Sequence, residues 1–191
     1  MQQRRIENGL VLVTSNTKKV NEARGIIPEL EQLDLELPEI QSFDLEDIIE
    51  AKLIEARKYY SGPLLVDDTA LYLACLKGNK SESNLPGPFI KWFLKGMGNS
   101  ALVTMAESLG SVKAEAVTMI GYADQKGNHA FFKGSLQGTL VAPQGQEGFG
   151  WDLVFKPDGY EMTLAAMSLD TKSKMSMRAK ALIQFVDFLK K

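Results

Sequence analysis

The sequence predicts an α/β fold, an elongated mixed sheet with flanking helices that splits into two lobes around a central cleft. Three observations carry that expectation. Short apolar runs alternate with stretches of helical periodicity. The middle of the chain holds two long strand-like segments, Ala114 to Ala123 and His129 to Val141, joined by a polar turn. The chain has 191 residues, 45% of them hydrophobic and 24% charged, which suits a single domain over residues 1–191 with a sizeable core.

Leu10 to Val13 is a short apolar run ending in Thr14-Ser15-Asn16-Thr17, which reads as a buried strand entering a polar turn. Val20, Ala23, Ile27 and Leu30 follow at helical spacing, with Asn16 or Thr17 placed to cap the helix. Leu33, Leu35 and Leu37 alternate with acids, as in a half-buried strand that Pro38 stops. Asp44 to Tyr60 reads as an amphipathic helix whose buried face carries Ile48, Ile49, Leu53 and Ala56. After Gly62-Pro63, Leu64 to Val66 forms a strand that runs directly into acids. Residues 77–88 are rich in Gly, Ser and Pro and read as a loop; Phe89 to Leu94 and Ser100 to Leu109 read as helices. Asp124 to Asn128 turns the central strand pair, and Gly145 to Asp158 is a second Gly-rich loop, with aromatics. A final helix buries Ala179, Leu182, Val186 and Leu189.

Composition removes several function classes. No apolar run approaches the roughly 20 residues that span a bilayer, and Met1 to Arg5 leads into a strand-like segment, so no membrane association is expected. A lone cysteine, Cys75, rules out an internal disulfide or a multi-cysteine metal site, and a lone histidine, His129, rules out histidine-rich centres. Both suit a reducing, cytoplasmic setting. The net charge of −2 gives no nucleic-acid-binding signature. Its distribution is uneven, with nine acids and no Lys or Arg from Glu29 to Glu50, then six bases against three acids from Glu161 to Lys191. An acidic stretch suits a hard cation and a basic end suits an anion; two solvated faces are the alternative.

Four elements have the residue types that chemistry needs. In Thr14-Ser15-Asn16-Thr17-Lys18-Lys19 a strand opens a helix through a polar turn, so backbone N–H groups, the helix dipole and two lysines face one spot suited to phosphate. No P-loop pattern is present. Val66-Asp67-Asp68-Thr69 puts two acids after an apolar strand, as Mg²⁺ sites often do. Neighbouring strand residues face opposite ways, so one carboxylate at most points readily into a given cleft. Gly148-Phe149-Gly150-Trp151-Asp152 combines close backbone approach with rings that stack on a purine. Lys172 to Arg178 sets cations beside Ser176, a helix cap. Each has a structural alternative: a solvated helix start, a strand-to-turn transition, packing aromatics, and a basic helix start.

Taken together and in this order, the four segments resemble the inosine triphosphate pyrophosphatase family, whose members remove deaminated purine nucleotides. The most specific stretches are Val13 to Lys19, Leu85-Pro86-Gly87-Pro88-Phe89-Ile90-Lys91-Trp92-Phe93, and Phe149 to Asp152 continuing through Phe155 to Tyr160. The second of these is closer to the eukaryotic-type enzymes. The resemblance implies hydrolysis of ITP, dITP and XTP to the monophosphate and pyrophosphate, Mg²⁺ dependence and a homodimer. It implies that Thr14, Asn16, Lys18 and Lys19 hold the triphosphate, with charge added by Lys52 and Lys91. Glu39 and Asp68 would hold Mg²⁺, and Asp68 and Lys18 are the catalytic candidates. Phe149 and Trp151 would flank the base, Asp152 shape its pocket, and Lys172 and Arg178 reach its keto oxygen.

Phosphoanhydride hydrolysis needs neutralised phosphate oxygens and a positioned water, so no histidine or cysteine nucleophile is required. The chain departs from the family pattern mainly on the base side. Met177 stands where the family has a histidine and Ser173 where it has an asparagine; an acid is missing near Ala166, and Lys80 to Asn84 extends a loop. A pyrophosphatase with another base preference and a nucleotide-binding module without turnover are therefore the competing readings.

Overall fold

The computed structural model describes residues 9–77, 85–145 and 150–190. Among them a seven-stranded sheet runs in the order β2-β1-β3-β5-β6-β7, with the two-residue β4 farther along the β3 edge that β1 occupies. Its strands are β1 (Val11–Val13), β2 (Glu31–Leu33), β3 (Leu64–Leu73), β4 (Pro86–Gly87), β5 (Lys113–Ala123), β6 (His129–Leu140) and β7 (Phe155–Pro157). The helices are α1 (Thr17–Arg24), α2 (Leu45–Ala56), α3 (Ile90–Ser108), α4 (Leu169–Met175) and α5 (Met177–Leu189). β1 pairs in parallel with β2 and β3, while the other pairs are antiparallel. The mixed α/β sheet is as the sequence predicts.

Alternation along β3 divides the core. Leu64, Val66 and Ala70 pack under α2 with Ile49 and Leu53, whereas Leu65 faces α1 and α5 with Val20, Ala23 and Phe185. Farther along, Leu71 and Leu73 join a third cluster with Leu102, Ala106, Trp151 and Phe155. The first two clusters sandwich the parallel end of the sheet and the third builds the other end. The middle of β3 lies between these two lobes.

Several expected boundaries move. The strand expected over Leu33, Leu35 and Leu37 ends at Leu33, because β1 ends at Val13 and offers nothing beyond it to pair with; the last bond is Thr14 N–H to the Leu33 carbonyl. Helix α2 is capped by Asp44 and stops at Ala56, short of Tyr60, where the chain tightens through Lys58 N–H to Glu55 and Tyr59 N–H to Ala56. The strand expected to stop at Val66 continues through both acids to Leu73. Within Gly145 to Asp158 the short strand β7 pairs with the end of β6, and Lys172 sits in a separate helix, α4, ahead of the one that Ser176 caps. The extra loop, Lys80 to Asn84, lies outside the described residues.

α5 lies close on the sheet because Gly134 of β6 has no side chain. A Cβ there would overlap the Met177 carbonyl oxygen and come within 2.8 Å of Ala181 N. Gly96 in α3, by contrast, has nothing within 4 Å. Gly134→Ala is therefore expected to cost about 1–3 kcal/mol of unfolding free energy, whereas Gly96→Ala gains about 0.5–1 kcal/mol. Urea unfolding of the two variants checks both signs.

Candidate active site

The strand order creates the site. β1 leads through α1 to β2 on one side, and β2 leads back through α2 to β3 on the other. The two helices cover opposite faces. At such a switch point the chain diverges from the carboxyl end of the strand and leaves a crevice there. β3 adds a second feature. One of its edges carries β1 at Leu64 and Leu65 and β4 at Leu71 and Tyr72, so the stretch between them opens onto that crevice. A pocket of about 340 Å³ fills the gap.

Its floor is the turn after β1. Asn16 N–H donates to Thr14 Oγ1 at 3.1 Å, and Asn16 Oδ1 accepts from Lys18 N–H at 3.0 Å, capping α1. The helix start thus points its dipole and Lys19 at the pocket.

Asp68 faces α2. Lys52 Nζ donates to Asp68 Oδ2 at 2.8 Å and to Glu39 Oε1 at 3.0 Å, and Lys91 Nζ lies 3.6 Å from Glu39 Oε2. Asp68 Oδ1 also accepts from Thr69 N–H at 2.7 Å. Burial works against the Lys52 charge, but Asp68 and Glu39 outweigh it and hold the ammonium above its ordinary range. Burial likewise pushes Glu39 up, and Lys52, Lys91 and Lys19 bring it below its ordinary value.

Asp67 faces the other way, under α1 and α5. Its Oδ1 accepts from Lys19 Nζ at 2.9 Å and its Oδ2 from Arg178 Nε at 3.0 Å, and its side chain is 1% exposed. Arg178 then pairs with Glu22; Lys172 lies 3.8 Å from Glu22 and 2.8 Å from Asp152. Three cations and three anions alternate from the pocket wall into the protein. Burial alone would raise the Asp67 carboxyl, yet Lys19 and Arg178 hold it down at about 2. Arg178, disfavoured by burial, is kept above its ordinary value by Asp67 and Glu22.

Of the expected site residues, Thr14, Asn16, Lys19, Glu39, Lys52, Asp68, Lys91 and Trp151 share the pocket wall. Lys18 is exposed on the first turn of α1, off that wall, because helical geometry points it about 100° away from Lys19. Asp152, Lys172 and Arg178 are buried in the charge chain behind the wall. Phe149 lies outside the described residues. Sequence reasoning missed Glu22, the acid between Arg178 and Lys172, and left Asp67 undecided as a metal ligand. Glu22 was marked only by its place three residues after Lys19. Among the described residues no group of three or more His, Cys, Asp or Glu could hold a metal ion. Glu39 and Asp68 nonetheless converge on one ammonium, so their oxygens face a common point. Two carboxylates suit Mg²⁺ when phosphate oxygens and waters complete the shell, and the donor set fits the ion in that form.

A family model described as the Ham1 family matches residues 10–188. The chain belongs to the Ham1 family. Its relatives include an inosine triphosphate pyrophosphatase of Saccharomyces cerevisiae, 39% identical and covering 95% of this chain and 96% of that one. Another, from Aspergillus oryzae, is 38% identical over 94% and 92%. A dITP/XTP pyrophosphatase of Methanopyrus kandleri is 32% identical over 95% and 96%. The yeast and fungal relatives agree with the eukaryotic-type likeness of the segment around Trp92. Among solved Ham1-family structures, that of a HAM1 protein from Coxiella burnetii superposes with a TM-score of 0.71 at 20% identity, over 94% of this chain and 98% of that one. The Staphylococcus aureus Ham1 protein gives 0.66 at 23%, over 94% and 97%. No helix among the described residues is long and apolar enough to cross a membrane.

Asp67→Asn removes the buried charge that Lys19 and Arg178 share and is expected to cost about 3–5 kcal/mol at neutral pH. A carboxyl held below its ordinary value of 3.8 stabilises the fold fully above that value and loses this contribution as pH falls toward about 2. The stability gap between wild type and variant should narrow over that window in urea titrations. A gap of constant size from pH 5 to pH 2 contradicts the assignment.

Proposed function

We propose that this protein hydrolyses non-canonical purine nucleoside triphosphates, namely ITP, dITP and XTP, to the monophosphate and pyrophosphate, a house-cleaning reaction of the nucleotide pool. The observation that carries the reading is one pocket in which two carboxylates, Glu39 and Asp68, face Lys19, Lys52 and Lys91 beside a helix start. Polyphosphate hydrolysis needs that combination of cations for the oxygens and a carboxylate for the water. The relatives' names point to the same substrates.

Water attacks the α-phosphorus, the bond from that phosphorus to the bridging oxygen breaks, and pyrophosphate leaves. Asp68 orients the water and accepts its proton. The turn at Thr14 and Asn16 and the ammonium groups of Lys19, Lys52 and Lys91 bind the phosphate oxygens and draw off the charge that develops on the leaving group. Glu39 and Asp68 would hold Mg²⁺, which would supply further charge neutralisation. Lys18 on the exposed side of the first turn acts as a steering charge for the incoming polyanion. Trp151, 3% exposed and packed in the apolar cluster, backs the part of the pocket wall against which the base lies. Asp152, Lys172 and Arg178 form the charged backing of the base subsite. A homodimer in the cytoplasm completes this reading.

A second reading keeps the reaction and changes the base. Met177 is 4% exposed and belongs to the apolar cluster that contains Trp151, so an apolar thioether stands where the family has a base-reading histidine. Losing one such hydrogen bond relaxes discrimination by about 1–3 kcal/mol, roughly ten- to a hundred-fold.

A panel of nucleoside triphosphates assayed for pyrophosphate release, with Mg²⁺ and then with EDTA, tests both readings. Turnover should favour ITP and XTP and vanish on chelation; equal turnover of ATP rejects the inosine preference. Asp68→Asn should lose at least about a hundred-fold in kcat with the fold intact by circular dichroism. Met177→His should raise the ratio of ITP to ATP turnover, and an unchanged ratio rejects a role for that position in base choice.

A further inference from the structure

The pocket wall away from β1 combines two segments far apart in sequence: Ile90, Lys91 and Leu94 from the first half of α3, and the turn Gly150–Trp151. α3 is broken at Gly98, whose φ of 78° and ψ of 173° lie outside the helical region. Beyond the break its second half is fixed in the core by Leu102, Val103 and Ala106. Asn99 is the first residue of that fixed half. Its Nδ2 donates to the Gly150 carbonyl oxygen at 3.1 Å. The amide orientation is set by chemistry, since a carbonyl oxygen accepts only from a donor. The Asn99 Oδ1 atom is buried and makes no hydrogen bond, so Asn99's hold on the turn comes through Nδ2. Gly150 has a φ of 62°, a region open to glycine, and its added Cβ would meet only Leu94, at 3.8 Å. Trp151 is held in the core, but at Gly150 itself neither backbone stiffness nor tight packing fixes the turn.

We infer that Asn99 is a positioning residue that clasps the Gly150–Trp151 turn to the fixed half of α3, setting the surface against which the nucleotide base lies. The base-binding half of this statement rests on the proposed function; the clasp itself does not. Asn99 touches neither the phosphate-binding turn nor the carboxylate pair. Its loss therefore weakens binding of the base in ground and transition states alike, which raises KM and leaves kcat in place.

Two variants test it. Asn99→Ala removes the donor, and Asn99→Asp keeps the shape while setting a carboxylate against the Gly150 carbonyl. For ITP, KM should rise about fivefold in the first and further in the second, the effect of one hydrogen bond and of an added repulsion, with kcat within about twofold of wild type. Inhibition by inorganic tripolyphosphate, which has no base, should be unchanged. Amide hydrogen exchange should quicken at Val154 and Phe155, whose N–H groups donate to the Trp151 carbonyl. Wild-type KM and wild-type exchange in Asn99→Asp overturn the inference. Equal weakening of tripolyphosphate also overturns it, because Asn99 would then act on the whole pocket. If wild type releases no pyrophosphate from any nucleoside triphosphate, the proposed reaction falls, while the exchange comparison still decides the clasp.

Discussion

Two adjacent carboxylates in the middle of a strand are tolerable only if each meets cations on its own face of the sheet. β3 meets that condition with Lys52 on one side of the sheet and Lys19 with Arg178 on the other. An isolated carboxylate in so dry a place would be too costly to keep ionised. The placement of α1, α2 and α5 follows from that constraint, since each must deliver its cation to the right face. A buried ion pair adds little net stability over an apolar pair, but removing one partner strands the other. The arrangement therefore fixes position more than it adds stability.

The two faces serve different ends. Asp67 also touches the pocket, but with both oxygens committed and 1% exposure it organises the cations at and behind the pocket wall. Asp68 shares one ammonium with a half-exposed Glu39 and opens onto the crevice. The same strand alternation that puts Val66 and Leu65 into separate hydrophobic clusters puts these acids into separate electrostatic ones. Packing and chemistry thus share one period-2 rule.

Where local signals suffice, the fold was legible in the sequence. The cap at Asn16, the buried face of α2, the hairpin turned at Asp124 to Asn128 and the cap at Ser176 each depend on residues within a few positions of one another. The true length of β3 was not legible. Asp-Asp-Thr looks like a turn until its counter-cations are known, and these lie 48 and 111 residues away from Asp67. Strand β7 was hidden for a similar reason: three residues in a Gly-rich stretch become a strand only because the end of β6 is there to pair with them. The opposed directions of Asp67 and Asp68 could be read in advance from strand geometry. The burial of Lys172 and Arg178 could not, because it depends on Glu22 and Asp152 from distant segments.

Both β3 acids touch the pocket, and in the proposed reaction Asp68 alone of the two holds the metal ion. Anomalous diffraction from crystals grown with Mn²⁺ and the α,β-methylene analogue of ITP tests it directly. A metal peak is expected between Glu39 and Asp68, with Asp67 still paired to Arg178. A peak on Asp67, or one on neither member of the Glu39–Asp68 pair, would contradict it.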